Sequence, residues 1–354
     1  MKRHTLAYLF VNEKNNFNFI RLVAAGLVIY GHSNAIVFDG GQDFVTRYLN
    51  WGFTGGIAVD MFFVISGFLV TASISKGAFL YYVKSRFLRI YPALIFWVAI
   101  TSFVVAPIFS DYSYNISSSI SYFLNVATAY KMSYFIDGVF YENKDSAING
   151  SLWSVILEVR LYILVAVAYF FGVFKSKTLF NVLFFVCFVL FFFKPHYIPF
   201  AKSPTDIHVS TLFLIGSFYW VNKEYIYISP FICLSLFSFL SLAFSLQKFE
   251  MAYIFSMPYF LFCIAYMKGL SLFRKLGDYS YGMYLIGWPV QQILLSFNPS
   301  ISVENHQVLS ILFSFLLAVF SWHVIEKPAI GLKRLDFFKI VQKWVVSINV
   351  REKV

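Results

Sequence analysis

Arg21 and His32 stand eleven positions apart in one apolar stretch, FIRLVAAGLVIYGHSNAIVF. Eleven steps of about 100° return an α-helix to the same face, so the two side chains align roughly 16 Å apart along its axis. An imidazole exchanges protons near neutral pH, and a guanidinium grips phosphate or carboxylate in a two-pronged fork. Both are expensive to place in hydrocarbon, so ionisable groups inside a membrane helix mark a functional site by default.

Other segments carry groups of the same kind. SLWSVILEVRLY holds Glu158 and Arg160. If Arg21 marks the cytoplasmic edge, His32 lies about 16 Å into a core of about 30 Å. If the helix of Glu158 starts near Gly150 at the opposite face, that carboxylate lies about 12 Å below it, and the two depths nearly coincide. A carboxylate beside an imidazole fixes its tautomer and raises its basicity, as a histidine general base requires. The alternative is a structural ion pair that holds the bundle together. In KSRFLRIYP, Arg86 and Arg89 are three apart on one helical face, with Lys84 close by, and suit a phosphate or diphosphate. An ordinary basic loop against lipid headgroups has the same composition.

AVDMFFVISGFL supplies Asp60, a costly intramembrane carboxylate, and Ser66-Gly67, a hydroxyl beside a bare backbone that also suits helix packing. Arg160 points away from Glu158 and is a candidate partner for Asp60. In LGDYSYGMYLIGWPVQQ, Tyr281, Tyr284 and Trp288 form one helical stripe, and Asp278 precedes them at the cytoplasmic interface. WHVIEKP sets His323 and Glu326 three apart, with Pro328 expected to stop the helix.

The elements that must position these groups are membrane helices. The hydrophobic fraction is 59%, the charged fraction 13% and the mean hydropathy +0.71, all outside the soluble range. This predicts an all-α polytopic protein with about ten transmembrane helices, near 18–37, 53–75, 91–109, 150–172, 178–194, 207–222, 228–247, 251–267, 277–297 and 307–326. With both termini cytoplasmic, twenty-one of the 28 Lys and Arg lie in inner segments and six in outer ones, the positive-inside pattern. That pattern accounts for the net charge of +11, and no nucleic-acid module is visible. Residues 1–330 read as one transmembrane domain, with a long outer loop at about 110–149. Residues 331–354 read as a basic amphipathic tail along the lipid surface. The first apolar run lacks the form of a cleavable signal peptide. Cys187, Cys233 and Cys263 sit in apolar runs without metal or disulfide spacing. There is no Walker motif, dinucleotide fingerprint, HExxH pair or GxSxG elbow. No internal repeat supports a transporter of inverted-repeat design.

Taken in order, Arg21-x10-His32, DMFFVISGFL, RFLRIYP, SLWSVILEVRLY, LGDYSYGMYLIGWPV and VIEKP resemble the acyltransferase-3 family of membrane acyltransferases, across nearly the whole chain. Val159 follows Glu158 where the family often has a second acid, and Gly287 stands where it often has histidine. The resemblance implies an acyl-CoA donor, most simply acetyl-CoA, on the cytoplasmic side, with no metal. It implies a sugar hydroxyl of a cell-envelope glycan or lipid-linked saccharide as acceptor, in the inner (plasma) membrane of a bacterium. Arg21, Arg86 and Arg89 would hold the CoA phosphates. His32 would act as general base or take the acyl group itself, with Glu158 orienting it. Asp60, Ser66, Trp153, Tyr281 and Tyr284 would support the site or contact the acceptor. A transporter or flippase of a lipid-linked glycan is the alternative reading, and a non-catalytic membrane scaffold is another.

Overall fold

The computed structural model describes residues 4–38, 42–49, 52–76, 79–111, 114–193, 203–246, 248–270 and 277–334. Among these residues the long elements are all helices: α1 (Phe17–Val37), α2 (Thr54–Ile74), α3 (Phe79–Ile108), α4 (Trp153–Phe170), α5 (Lys177–Phe193), α6 (Pro204–Val221), α7 (Pro230–Ser245), α8 (Phe249–Ala265), α9 (Ser280–Phe297) and α10 (Val303–Gly331). Five of them, α1 to α4 and α10, are long and apolar enough to cross a membrane. The helices α7 and α8, and the part of α5 from Lys177 to Phe191, are apolar but shorter. Of the basic tail, residues 335–354 lie outside the described residues.

Two boundaries differ from expectation. The third helix starts at Phe79 rather than near 91, so Arg86 and Arg89 lie inside a continuous helix and not in a surface turn before one. FLYYVKSRFLRI contains neither glycine nor proline, so nothing local breaks it. Pro328 does not stop α10 either. A π-helical segment, Trp322–Glu326, interrupts the helix, and Pro328 falls in the first turn of the α-helix that resumes, where a missing N–H costs least.

The core runs through α1, α2, α3, α4 and α9, with Val28, Phe63, Trp97, Leu157 and Leu285 buried together. The helices α2 and α6 meet at glycines. A Cβ on Gly67 would lie 1.9 Å from the Phe213 carbonyl oxygen, and one on Gly216 would lie 2.2 Å from that of Val64. Ser217 Oγ donates across this contact to the Gly67 carbonyl at 3.3 Å. Small residues and an interhelical hydroxyl are the usual means of close approach where lipid offers no hydrophobic drive.

The segment before α4 decides where the site lies. From Asn143 to Leu152 the chain runs antiparallel to α9 and bonds to it repeatedly. Asn143 Nδ2 donates to Gln292 Oε1 at 2.8 Å, and Trp288 Nε1 donates to the Ala147 carbonyl at 2.9 Å. Asn149 Nδ2 donates to the Leu285 carbonyl at 2.9 Å, and Tyr284 Oη donates to the Ser151 carbonyl at 2.9 Å. Asn149, Ser151 and Leu152 are buried. Irregular backbone inside a helix bundle must be satisfied by protein, and Trp288 and Tyr284 do this for the Ala147 and Ser151 carbonyls. Helix α4 therefore begins well inside the bundle.

At the opposite end of α2, Asp43 Oδ2 accepts from Thr54 N at 2.5 Å while Oδ1 accepts from Thr46 N at 2.9 Å. Burial alone would raise this carboxyl's pKa, but the donated hydrogen bonds outweigh it and hold the group below the ordinary aspartate value. The carboxylate thus closes the turn that carries Phe53 and Thr54.

Gly67→Val is expected to destabilise the fold by about 1–3 kcal/mol, because the α2–α6 contact has no room for a side chain. Gly269→Ala, where a Cβ meets nothing within 4 Å, is expected to be neutral. Thermal unfolding of both variants in detergent checks the difference.

Candidate active site

Four charges gather at one end of the bundle. Arg21 Nη1 lies 2.7 Å and Arg89 Nη2 2.6 Å from the same oxygen, Asp278 Oδ2, and Arg89 Nη1 lies 3.8 Å from Glu326 Oε2. Ser280 Oγ donates to Asp278 Oδ1 at 2.6 Å, and Ser321 Oγ donates to Glu326 Oε1 at 2.9 Å. Helices α1, α3 and α10 and the start of α9 each supply one charge, so the cluster sets their relative depth. The π segment of α10 gives Glu326 its inward aim, since the widened turn rotates the residues after it. Arg86 is not part of this cluster; its guanidinium stands over the Tyr162 ring at 5.7 Å. The expected arginine pair is therefore split between two environments.

Above the cluster is a narrow cavity of about 30 Å³, lined by Arg21, Glu158, Ser154, Tyr281 and Tyr284 among others. Glu158 Oε1 accepts from Ser66 Oγ, and from Tyr162 Oη at 2.6 Å. Tyr281 Oη donates to the Ile90 carbonyl at 3.0 Å and its ring lies under Arg89. Tyr284 Oη also meets Ser154 Oγ at 2.5 Å.

A second cavity of about 300 Å³ contains His32, with Phe53, Asp60, Trp153, His208, Glu250 and Tyr284 in its walls. The His32 ring packs edge-on to Trp288, with centroids 4.9 Å apart, and lies 5.5 Å from the Phe53 ring. Asp60, buried on α2, meets His208 Nε2 of α6 at 3.1 Å and accepts from Tyr253 Oη of α8 at 2.9 Å.

Two expected pairings are thus corrected. His32 does not meet Glu158, because the laced segment lowers α4 and carries Glu158 to the level of Ser66 and Arg21. Asp60 does not pair with Arg160, which reaches the Tyr130 carbonyl at 3.5 Å. The sequence reading missed His208, Tyr253 and Glu250. His208 carried the same signal as His32, an imidazole within an apolar helix, PTDIHVSTLFLIG. The sequence sets Asp278 at an interface, and only the fold brings it to Arg21 and Arg89. Among the described residues, no three His, Cys, Asp or Glu side chains are grouped as metal ligands would be.

The acyltransferase-domain profile of the acyltransferase-3 family matches residues 14–325. The chain belongs to the acyltransferase-3 family. This acyltransferase is also 29% identical, over 342 residues, to an O-acetyl transferase of Shigella phage Sf6, covering 90% of this chain and 96% of that one. No solved structure matches it. All six sequence motifs that carry the resemblance thus lie in or beside the two cavities and the charge cluster.

Removing Arg89 from this acyltransferase leaves Glu326 buried without its guanidinium and Asp278 with one arginine instead of two. Arg89→Ala is expected to cost about 3–5 kcal/mol of stability, beyond any effect on donor binding. Adding Glu326→Gln, which keeps the bond from Ser321, is expected to restore part of that loss. Melting of the single and double variants, compared as a double-mutant cycle, measures the coupling.

Proposed function

We propose that this acyltransferase moves an acetyl group from acetyl-CoA, arriving at the Arg21 end, to a sugar hydroxyl presented at the His32 end. The observation that carries the reading is that the two cavities share a wall. Val59 and Tyr284 line both, so the chamber of Arg21 and Glu158 and the chamber of His32 are separated by a single layer of side chains. The Arg21–His32 rise of roughly 16 Å is comparable with the reach of an extended pantetheine arm.

In this reading all ten helices span the inner membrane of a bacterium, with both termini cytoplasmic. The Arg21 end then faces the cytosolic donor and the His32 end faces the cell envelope. Arg21 and Arg89 meet the donor's phosphates, with Arg86 on the adjoining face of α3. Glu158, held by Ser66 and Tyr162, accepts from an amide N–H of the pantetheine arm. His32 either removes the acceptor's proton or takes the acetyl group and passes it on. Trp153 and Phe53 provide flat apolar surfaces for a sugar ring. The acceptor is a cell-envelope glycan or lipid-linked saccharide, and the O-acetyl transferase relative supports acetyl as the group moved.

The experiment pairs wild type with His32→Ala at matched membrane levels. Inside-out vesicles from cells that carry the glycan receive radiolabelled acetyl-CoA, and label on the glycan is counted. His32→Ala is expected to lose roughly 100- to 10,000-fold in rate. Full activity in that variant overturns the mechanism. Glycan transport by the wild type without consumption of acetyl-CoA overturns the assignment to acyl transfer in favour of a flippase.

A further inference from the structure

Two imidazoles face the larger cavity, and they are held differently. His32, on α1, is enclosed by the Trp288 and Phe53 rings, with its side chain directed back at the Val28 carbonyl of its own helix. His208, on α6, meets the Asp60 carboxylate through Nε2 at 3.1 Å. Its ring lies nearly parallel to that of Tyr253, with 15° between the planes, and Tyr253 Oη donates to the same Asp60 oxygen at 2.9 Å. Asp60 is buried, with only 4% of its side chain exposed, and His208 and Tyr253 meet the same oxygen, Oδ2. With Asp60 as a carboxylate, which only accepts hydrogen bonds, the hydrogen is assigned to Nε2, and the basic nitrogen is then Nδ1. Nδ1 lies 3.9 Å from Glu250 Oε1, a carboxylate of the same cavity whose side chain is 62% exposed at the rim.

We propose that His208, oriented by Asp60, takes the proton of the acceptor hydroxyl, and that His32 carries the acetyl group. This deepens the acetyl-transfer reading and rests on it. The division follows from the surroundings. An imidazole backed by a carboxylate is stabilised when protonated, which suits a base. An imidazole without one, enclosed by aromatic rings, is better suited to hold a neutral acyl group. Glu250 at the rim accepts from a second hydroxyl of the same sugar, and Trp153 lies against the ring.

The two steps balance. In the first, a His32 nitrogen attacks the thioester carbon and the C–S bond breaks. The proton shed by the imidazole goes to the departing thiolate, which leaves as CoA thiol. In the second, the acceptor oxygen attacks the acyl carbon and the C–N bond to His32 breaks. The hydroxyl proton passes to His208 and then to the His32 nitrogen that gave up its proton in the first step, so the freed nitrogen is again the nucleophile and both rings end as they began.

The test uses full-length chain in inside-out vesicles that carry their own glycan, given radiolabelled acetyl-CoA and quenched rapidly. Label is counted separately on the chain and on the glycan. His208→Ala is expected to load its own chain within about twofold of wild type while losing roughly 100- to 10,000-fold in glycan labelling. Asp60→Asn should move the same way by a smaller factor. Added imidazole should restore part of the glycan labelling in His208→Ala, which a purely structural role does not predict. If the alanine variant fails to accumulate in the membrane, His208→Gln, which can still donate to Asp60, takes its place. Wild-type glycan labelling by the His208 variant, or loading without imidazole rescue, overturns the role given to His208. A wild type that labels glycan but never its own chain overturns the acyl-carrier step alone. A wild type that labels neither overturns the acetyl-transfer reading together with it.

Discussion

Two guanidinium groups converging on one carboxylate oxygen organise this bundle. Arg21 and Arg89 cannot both sit at the end of a membrane core without an anion, and Asp278 supplies it, with Glu326 on the far side of Arg89. Attraction in a low-dielectric interior is strong, yet so is the cost of desolvating each group, so such a cluster is retained only when its geometry is complete. Completing it requires four chain segments to stop at matching depths. Once Arg21 is held there, the helical repeat places His32 on the same face, at the level of the larger cavity.

A second constraint acts on the other partner. The chain from Asn143 to Leu152 enters the bundle as irregular backbone, and its carbonyls and amides must be satisfied by protein. Trp288, Gln292 and Tyr284 of α9 do this for the Ala147 and Ser151 carbonyls, and Asn149 Oδ1 accepts from Ser151 N. The lacing sets the starting level of α4 and thereby the level of Glu158. A carboxylate expected beside an imidazole is delivered instead to Ser66 and Tyr162. The aromatic stripe on α9 is accordingly a scaffold for a threaded segment as much as a wall of the site.

The imidazole–carboxylate pair that the motifs suggested does exist, but between other residues. Asp60 and His208 form it across α2 and α6, which Gly67 and Gly216 bring into close contact. Close glycine packing a few turns away and the polar pair near the helix ends are two consequences of one contact. Without the glycines, α6 would stand off and His208 could not reach a buried aspartate.

The periodic, local features were legible in the chain itself: the apolar runs behind the long helices, the helical spacing of Arg21 and His32, and the six ordered motifs. These depend on the 3.6-residue repeat and on hydropathy, which act over a few turns and need no knowledge of neighbours. The start of α3 was misplaced because charged residues in a good helix-forming run resemble a surface loop when only hydropathy is weighed. Pro328 was misread because a π segment resets the helix ahead of it. What only the tertiary structure decided is which carboxylate meets which cation or imidazole. Depth along one helix can be counted from its sequence, but the depth of one helix against another is set by non-local bonds, here Asp278 to two arginines and α9 to the threaded segment.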